Sequence, residues 1–469
     1  MINAFLNIFR ISELRNKLLF TIAMLAIYRI GFWIPLPGVD QGAVLEFFAK
    51  QAQSGGVASR LGQFIAIFTG GALGRSTIFG LGVMPYISAS IIFQLLGTVY
   101  KPLEDLKKEG PAGYQKIQEY TRYATVALCA IQGFGWLTYL RGSGLIYADI
   151  AGSTGGILTF YIQGTLALIA GSVFLMWLGE QIDRFGLGNG VSLIITAGIL
   201  SRIPNAIFQI ASNFSFAQGS NAAYKPGTVI MLALMFFGVT AGAVLITVAQ
   251  RRIPIQQAKQ TRGRKMYGGM KSYLPLRVNH GGVMPIIFAQ SLMIFPSVAF
   301  SAIATYAERT DVLWFASTSR FMADNFNFGS YLYIITEIIL IYFFSYFWTT
   351  VQFNPKEMSE QLRDHGSFIP GLRPGPRTAE YLETVLERVT YVGAGFLALI
   401  AVVPTMISSG MGIPYSVSSF LGGTGLLIVV SVGLDFVQRI ESNLVMRNYE
   451  GFLTSGDKGK ASRVRGRKR

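Results

Sequence analysis

The sequence predicts an all-α membrane protein with ten transmembrane helices. Three observations carry that prediction. Of 469 residues, 51% are hydrophobic and only 14% are charged, about half the charged fraction of a soluble domain, and mean hydropathy is +0.44. Uncharged runs recur at 76–100, 123–140, 150–179, 226–250, 278–307, 338–355 and 389–434, near or beyond the roughly 20 residues that cross about 30 Å of hydrocarbon. Finally, 40 Lys and Arg face 24 Asp and Glu, for a net charge of +16, and the cations gather between the runs. The composition excludes disorder and argues against a soluble enzyme.

The spans follow in order. The first, 18–36, contains Arg29 and has no small-residue cleavage site, so it is a retained helix and not a secretory signal. The uncharged runs then give 77–97, 121–140 and 157–178, followed by 188–207 with Arg202 inside it. Spans six to eight are 227–249, 282–304 and 331–352. The last run is too long for one helix, and Ser409-Gly410-Met411-Gly412-Ile413-Pro414 has turn chemistry. It therefore divides into 389–408 and 417–438.

Between spans one and two, Pro35 and Pro37 end the helix, and Leu61 to Leu73 forms a 13-residue apolar stretch. That is too short to cross and too apolar for a solvated loop, which leaves a half-inserted or an interfacial helix. Gly70, Gly71 and Gly74 let it hinge. If it re-enters, a cavity must receive it, because irregular backbone at membrane depth survives only inside protein or along water.

Cation placement sets the orientation. With both termini cytoplasmic, the cytoplasmic segments hold 31 Lys and Arg and the external ones hold 7, a strong positive-inside bias. Two cytoplasmic segments, 250–281 and 353–388, are long as well as rich in cations. Topogenic charge and attraction to anionic lipid account for individual residues, but loops of this length are usually functional. Clustered Arg also suits an anionic partner such as ribosomal RNA or an acidic protein face. The tail 441–469 ends Arg463-Val464-Arg465-Gly466-Arg467-Lys468-Arg469 and is electrostatic in character.

Catalytic chemistry is missing from the pattern. One cysteine, Cys129, and two histidines, His280 and His365, leave no disulfide, no cysteine cluster and little basis for a metal centre. No cofactor is expected. Gly186-Leu187-Gly188-Asn189-Gly190 lacks the Lys and the preceding strand of a phosphate loop and reads as a flexible helix start. Glu337 falls near the outer end of span eight and Asp435 near the inner end of span ten. No acidic or His group stands at mid-membrane, as a proton-coupled transporter would require, and no acidic ring argues for an ion-selective channel.

Several stretches carry a family resemblance: Tyr28-Arg29-Ile30-Gly31 with Ile34-Pro35-Leu36-Pro37-Gly38, and Gly80-Leu81-Gly82-Val83-Met84-Pro85-Tyr86-Ile87-Ser88. Further along come Trp177-Leu178-Gly179-Glu180-Gln181-Ile182, Gly188-Asn189-Gly190-Val191-Ser192, Pro275-Leu276-Arg277-Val278-Asn279, Pro370-Gly371-Leu372-Arg373-Pro374-Gly375 and Gly422-Gly423-Thr424. Together they resemble the SecY family, the pore subunits of the bacterial protein-translocation channel, over residues 1 to about 453.

The resemblance implies two pseudo-symmetric halves, 1–210 (spans one to five) and 211–440 (spans six to ten), followed by the basic tail 441–469. It implies a channel closed by an apolar ring at Val83, Ile87, Val191, Ile195, Ile287 and Ile428. The external stretch 61–73 becomes a re-entrant plug helix, with Leu61, Phe64, Ile65, Ile67, Phe68, Gly70 and Gly71. A lateral seam between spans two and seven takes Ser88, Gln132 and Asn279, and partner docking falls to Arg251, Arg252, Arg264, Lys265 and Arg373. The implied partners are the small membrane subunits SecE and SecG, the SecA motor, the ribosome, signal-bearing preproteins and anionic lipids, at the bacterial inner membrane. Taken singly, each ring aliphatic reads as ordinary helix packing or lipid contact; only the resemblance selects them. The expected function is passage of unfolded polypeptide, with no enzymatic activity. The alternative is a secondary transporter with inverted repeats.

Overall fold

The computed structural model describes residues 12–54, 76–212, 226–257, 260–262, 265–267, 271–307, 313–326, 330–411 and 425–443. The chain divides into two compact units, one of Met1–Phe48, Ile65–Ser201 and Val432–Arg469, the other of Ala49–Phe64 and Arg202–Ser431.

In the first unit, α1 (Ser12–Ile30) runs into a 3-10 turn, Gly31–Trp33, and α2 (Gln41–Ser54) follows. Next come α3 (Met84–Val99), α4 (Lys101–Lys108), α5 (Pro111–Gly142), the single turn α6 (Ala148–Ala151), α7 (Thr154–Phe185) and α8 (Gly190–Leu200). Helices α5 and α7 are 32 residues each, about 48 Å at 1.5 Å per residue. Each is long and apolar enough to cross a bilayer. Leu137, Leu140, Leu168 and Phe160 fill their interface, together with Leu36, Val39 and Val44 from the segment after α1. Arg29, the lone cation of span one, finds partners at the helix end. Its guanidinium lies 4.8 Å from the centre of the Phe32 ring and donates to Ser201 Oγ at 3.4 Å.

The second unit contains α9 (Ile203–Ser212), α10 (Pro226–Val248), α11 (Met284–Ala307), α12 (Leu313–Asn325), α13 (Tyr331–Gln352), α14 (Pro355–Asp364) and α15 (Pro376–Met411). Residues 425–443 are also helical and are called α16; of these, 425–431 belong to this unit and 432–443 to the first. A bundle core joins Leu232, Val239 and Ala243 of α10 with Ile286 and Ala289 of α11, Ile341 of α13, Leu397 and Ala401 of α15, and Leu426 and Leu427 of α16. On α10, Leu234, Phe237 and Leu245 are each about 70% exposed. Ile339 and Phe343 of α13 are likewise exposed, as are Leu158, Ile162 and Leu166 of α7. Rows of large aliphatics turned outward at helical spacing are the surface a bilayer wets and water does not. This is an all-α membrane protein.

Three sequence expectations change in detail. Span two does not begin as helix at 77. Residues 78–83 are turns, held by Gly80 N–H to Thr77 O and Gly82 N–H to Phe79 O, both at 2.8 Å. Gly82 takes φ +58°, and the 16-residue α3 starts only at Met84. Span five is two helices, α8 and α9, parted by a turn at Ser201–Arg202. Pro204 has no N–H to return to the preceding turn, and its ring would crowd residue 200.

The third change concerns the loops 250–281 and 353–388, which fold together. Strands β1 (Gln250–Gln257) and β4 (Lys271–Arg277) pair antiparallel from Gln250↔Arg277 to Gln256↔Lys271. A small ribbon, β2 (Gln260–Arg262) with β3 (Lys265–Tyr267), extends the hairpin, and β5 (Ser367–Phe368) adds to the end of β1. Pro254 sits at mid-strand, and the β5 edge of β1 is paired only at residues 256–257, so the missing proline N–H breaks no ladder there. The inward face supplies Ile253 and Leu276, which pack with Phe353, Ile369, Leu382, Val385, Leu386 and Val389. Thus β1, β4, α14 and the first turns of α15 share one water-excluding core, a platform at one end of the bundle. Its two sequence segments also differ in charge. Residues 250–281 carry eight cations and no carboxylate, whereas 353–388 carry five cations and six carboxylates.

Candidate functional site

Two short helices of the first unit share a plan. Each follows a Gly-Leu-Gly bend, at 80–82 and 186–188, whose second glycine has positive φ, +58° at Gly82 and +98° at Gly188. Each then presents two aliphatics four residues apart. Val83 is the N-cap of α3 and is buried, and Ile87, whose N–H bonds Val83 O at 3.0 Å, is half-buried one turn on. Val191 and Ile195 repeat the pattern in the first two turns of α8, half-buried and buried respectively. A separation of four residues stacks both side chains on one helix face, and neither pair has a charged neighbour within its own helix.

The Gly186–Gly190 stretch has no anion site to offer. Asn189 caps α8 through Oδ1, accepting from Ser192 N–H at 3.0 Å, and Asp183 Oδ1 accepts from Gly190 N–H at 2.7 Å. Those helix-start donors are already used by the protein's own side chains. A Cβ at 190 would overlap the Gly179 carbonyl oxygen, so glycine there is what lets α8 start against α7.

The remaining ring candidates belong to the second unit. Ile287 lies in the first turn of α11 and Ile428 on α16, and both are buried. Their chain neighbours Ile286 and Leu427 join the bundle core built on Leu232, while Ile287 and Ile428 do not. Of the seam candidates, Ser88 on α3 and Gln132 on α5 are half-buried in the first unit. Asn279 belongs to the second unit and donates locally to Gly282 O at 2.9 Å, bracing the turn into α11. The plug stretch 61–73 lies outside the described residues.

Among the docking candidates, Arg251, Arg252 and Arg373 lie on the platform. Arg251 and Arg252 are exposed on β1, and Arg252 shares the outer face of the hairpin with Tyr273 and Lys271. Arg373 is exposed at the apex of the Pro370–Pro376 turn. That turn is tied down by Thr378 Oγ1–H to Arg373 O at 2.9 Å, Ser359 Oγ–H to Gly375 O at 2.8 Å and Leu372 N–H to Ile369 O at 3.0 Å. Gly371 and Gly375 supply positive φ on either side. Among the described residues, Arg251, Arg252 and Arg373 have no carboxylate within salt-bridge distance, unlike Arg363 beside Asp364. Arg264 lies outside the described residues, and Lys265 is placed by its backbone in β3.

The SecY family profile matches residues 77–437. Protein translocase subunit SecY of Thermotoga maritima is 39% identical over 468 residues, covering 100% of both chains. The chain belongs to the SecY family. The Streptomyces griseus SecY subunit is 44% identical over 97% of this chain and 100% of its own, and that of Haemophilus influenzae is 39% identical over 94% of each. A solved structure described as "The structure of a protein conducting channel" covers 92% of this chain and 93% of its own, with TM-score 0.54 and 18% identity, a likeness of fold. Membership makes this SecY-family chain a multi-pass subunit of a protein-translocating channel and not an enzyme, and the transporter alternative is not favoured.

Two features escaped sequence reasoning. One is the folded platform, whose alternating Ile253, Ile255 and Leu274, Leu276 are a strand signal. The other is a buried acid–amide pair, Glu337 with Gln290, whose only signal is a polar residue in each of two apolar spans.

Proposed function

We propose that this SecY-family chain conducts unfolded preproteins across the bacterial inner membrane and releases apolar segments sideways into lipid. The paired aliphatics of α3 and α8 carry the reading. Val83, Ile87, Val191 and Ile195, with Ile287 and Ile428 from the second unit, form an apolar collar around the passing chain. A collar without charge dewets and so blocks ions, yet it binds no particular side chain, so varied polypeptides slide through. Residues 61–73 plug the closed channel from outside, and Ser88, Gln132 and Asn279 line the lateral exit. The halves 1–210 and 211–440 open about that exit.

Both termini are cytoplasmic, which puts the platform on the cytoplasmic face. Its acid-free segment 250–281 and the braced Arg373 favour anionic partners there: the SecA motor, ribosomal RNA and, nearer the bilayer, anionic lipid headgroups. SecE and SecG complete the membrane assembly.

Photo-crosslinkers at Val83, Ile195 and Ile287 test the collar. A precursor arrested in transit is expected to crosslink to all three, and failure at all three would refute the pathway. Deleting 61–73 is expected to raise ion leak across planar bilayers, whereas unchanged conductance would remove the plug.

A further inference from the structure

We propose that Glu337 is carried as the neutral acid and closes a cyclic acid–amide pair with Gln290, fixing the position of α11 on α13. Gln290 Nε2–H donates to Glu337 Oε1 at 3.2 Å, and the two residues are 7% and 1% exposed. The other atom of each group, Gln290 Oε1 and Glu337 Oε2, is buried without a hydrogen-bond partner. Both orphans are acceptors when Glu337 is ionised, so the anion would leave two buried oxygens facing no donor. One proton on Glu337 Oε2, directed at Gln290 Oε1, supplies the single missing donor and satisfies both atoms at once.

Among the described residues, the helices packed around the pair offer an anion no compensation. Residues 281–307, 338–355 and 389–434 contain no Lys, Arg, His, Asp or Glu, so the membrane lengths of α11, α13 and α15 bring no charge to Glu337; nor does α10. The titratable groups in the sequence of those lengths are tyrosines: Tyr306 of α11, Tyr331, Tyr333, Tyr342 and Tyr346 of α13, and Tyr391 of α15. Helix α12 packs on α11 with Arg320 and Asp324, both exposed to solvent. Glu337 lies six residues into α13, about 9 Å from its start. Its full burial leaves no path for the carboxylate to snorkel outward, and an unpaired buried carboxylate neutralises instead of staying charged.

The pair has a consequence for the channel. Gln290 lies three residues after Ile287 on the same helix, so the clamp sets where that collar residue stands. This half of the proposal rests on the collar reading above; the protonation half does not. Isotope-edited infrared spectroscopy of the intact translocase is expected to show a protonated-carboxyl carbonyl stretch at about pH 8 that vanishes in Glu337→Gln. A carboxylate band in its place would overturn the pair.

Planar-bilayer conductance of the closed channel tests the positioning half. Glu337→Gln, which keeps reciprocal amide bonding, is expected to hold the wild-type leak, while Glu337→Ala and Gln290→Ala each raise it several-fold. The double variant should leak no more than either single one, as coupled residues do. Additive leaks, or unchanged leak in all three alanine variants, would overturn the positioning role even with the carbonyl band present. Crosslinking at Ile287 reports on the collar separately.

Discussion

Two regions of the second unit bury comparable aliphatic side chains for different reasons. In the platform, Ile253, Leu276, Leu382 and Leu386 leave water for a core between a β-hairpin and two helices, so the hydrophobic effect drives their assembly. In the bundle, Leu232, Ile341, Leu397 and Leu427 are just as buried, but lipid is as apolar as they are. Close packing and a few polar contacts must hold those helices, among them Gln290–Glu337 and the Thr390 to Thr349 hydroxyl bond at 3.3 Å. The platform should therefore depend on the size of its aliphatics, and the bundle on fit and on its rare polar pairs.

The sharpest way to break the comparison is one substitution in each region. Leu382 is fully buried in the platform and Leu397 nearly so in the bundle. Leu382→Ala is expected to cost about 2–5 kcal/mol, combining lost transfer energy with a cavity. Leu397→Ala keeps only the cavity component and should cost clearly less. Limited proteolysis of the platform and thermal unfolding of the purified complex measure the pair, and equal losses would end the distinction.

Charge reversal on the platform comes next. Arg373→Glu is expected to lower motor-driven export several-fold with folded protein retained, since its side chain projects from a turn whose carbonyls are braced by the Thr378 and Ser359 hydroxyls. Arg363→Glu, beside Asp364, is the control and should export normally. Equal export by both variants would refute docking at the turn.

The smallest effect sits where platform meets bundle. Burial pushes His280 below its ordinary 6.5, opposed by a backbone hydrogen bond at Arg277, and its Nδ1 is buried without a partner. The folded chain thus binds fewer protons at this site than the unfolded chain, so stability is present above the ordinary value and is lost as pH falls below it. Thermal stability should drop modestly between about pH 7.5 and 5.5, and His280→Asn should flatten that part of the profile. An unchanged profile would show that His280 is not the titrating group.

Much of this protein was legible before any coordinates. Among the described residues, the apolar runs marked the stretches that carry the long apolar helices α5, α7, α10, α13 and α15, because a bilayer admits only segments that satisfy their own backbone, and chain composition records that requirement directly. The flexible helix start at Gly186–Gly190 was visible too, and so were the cations of 250–281, whereas the bend at 80–82 was not, since the hydropathy of span two reads as helix from residue 77. Tertiary structure decided the rest. That two loops a hundred residues apart share one core, and that Glu337 meets Gln290, are outcomes of packing between distant segments. Hydropathy is a property of each residue in turn, whereas a shared core or a single proton between two helices exists only once both partners are in place.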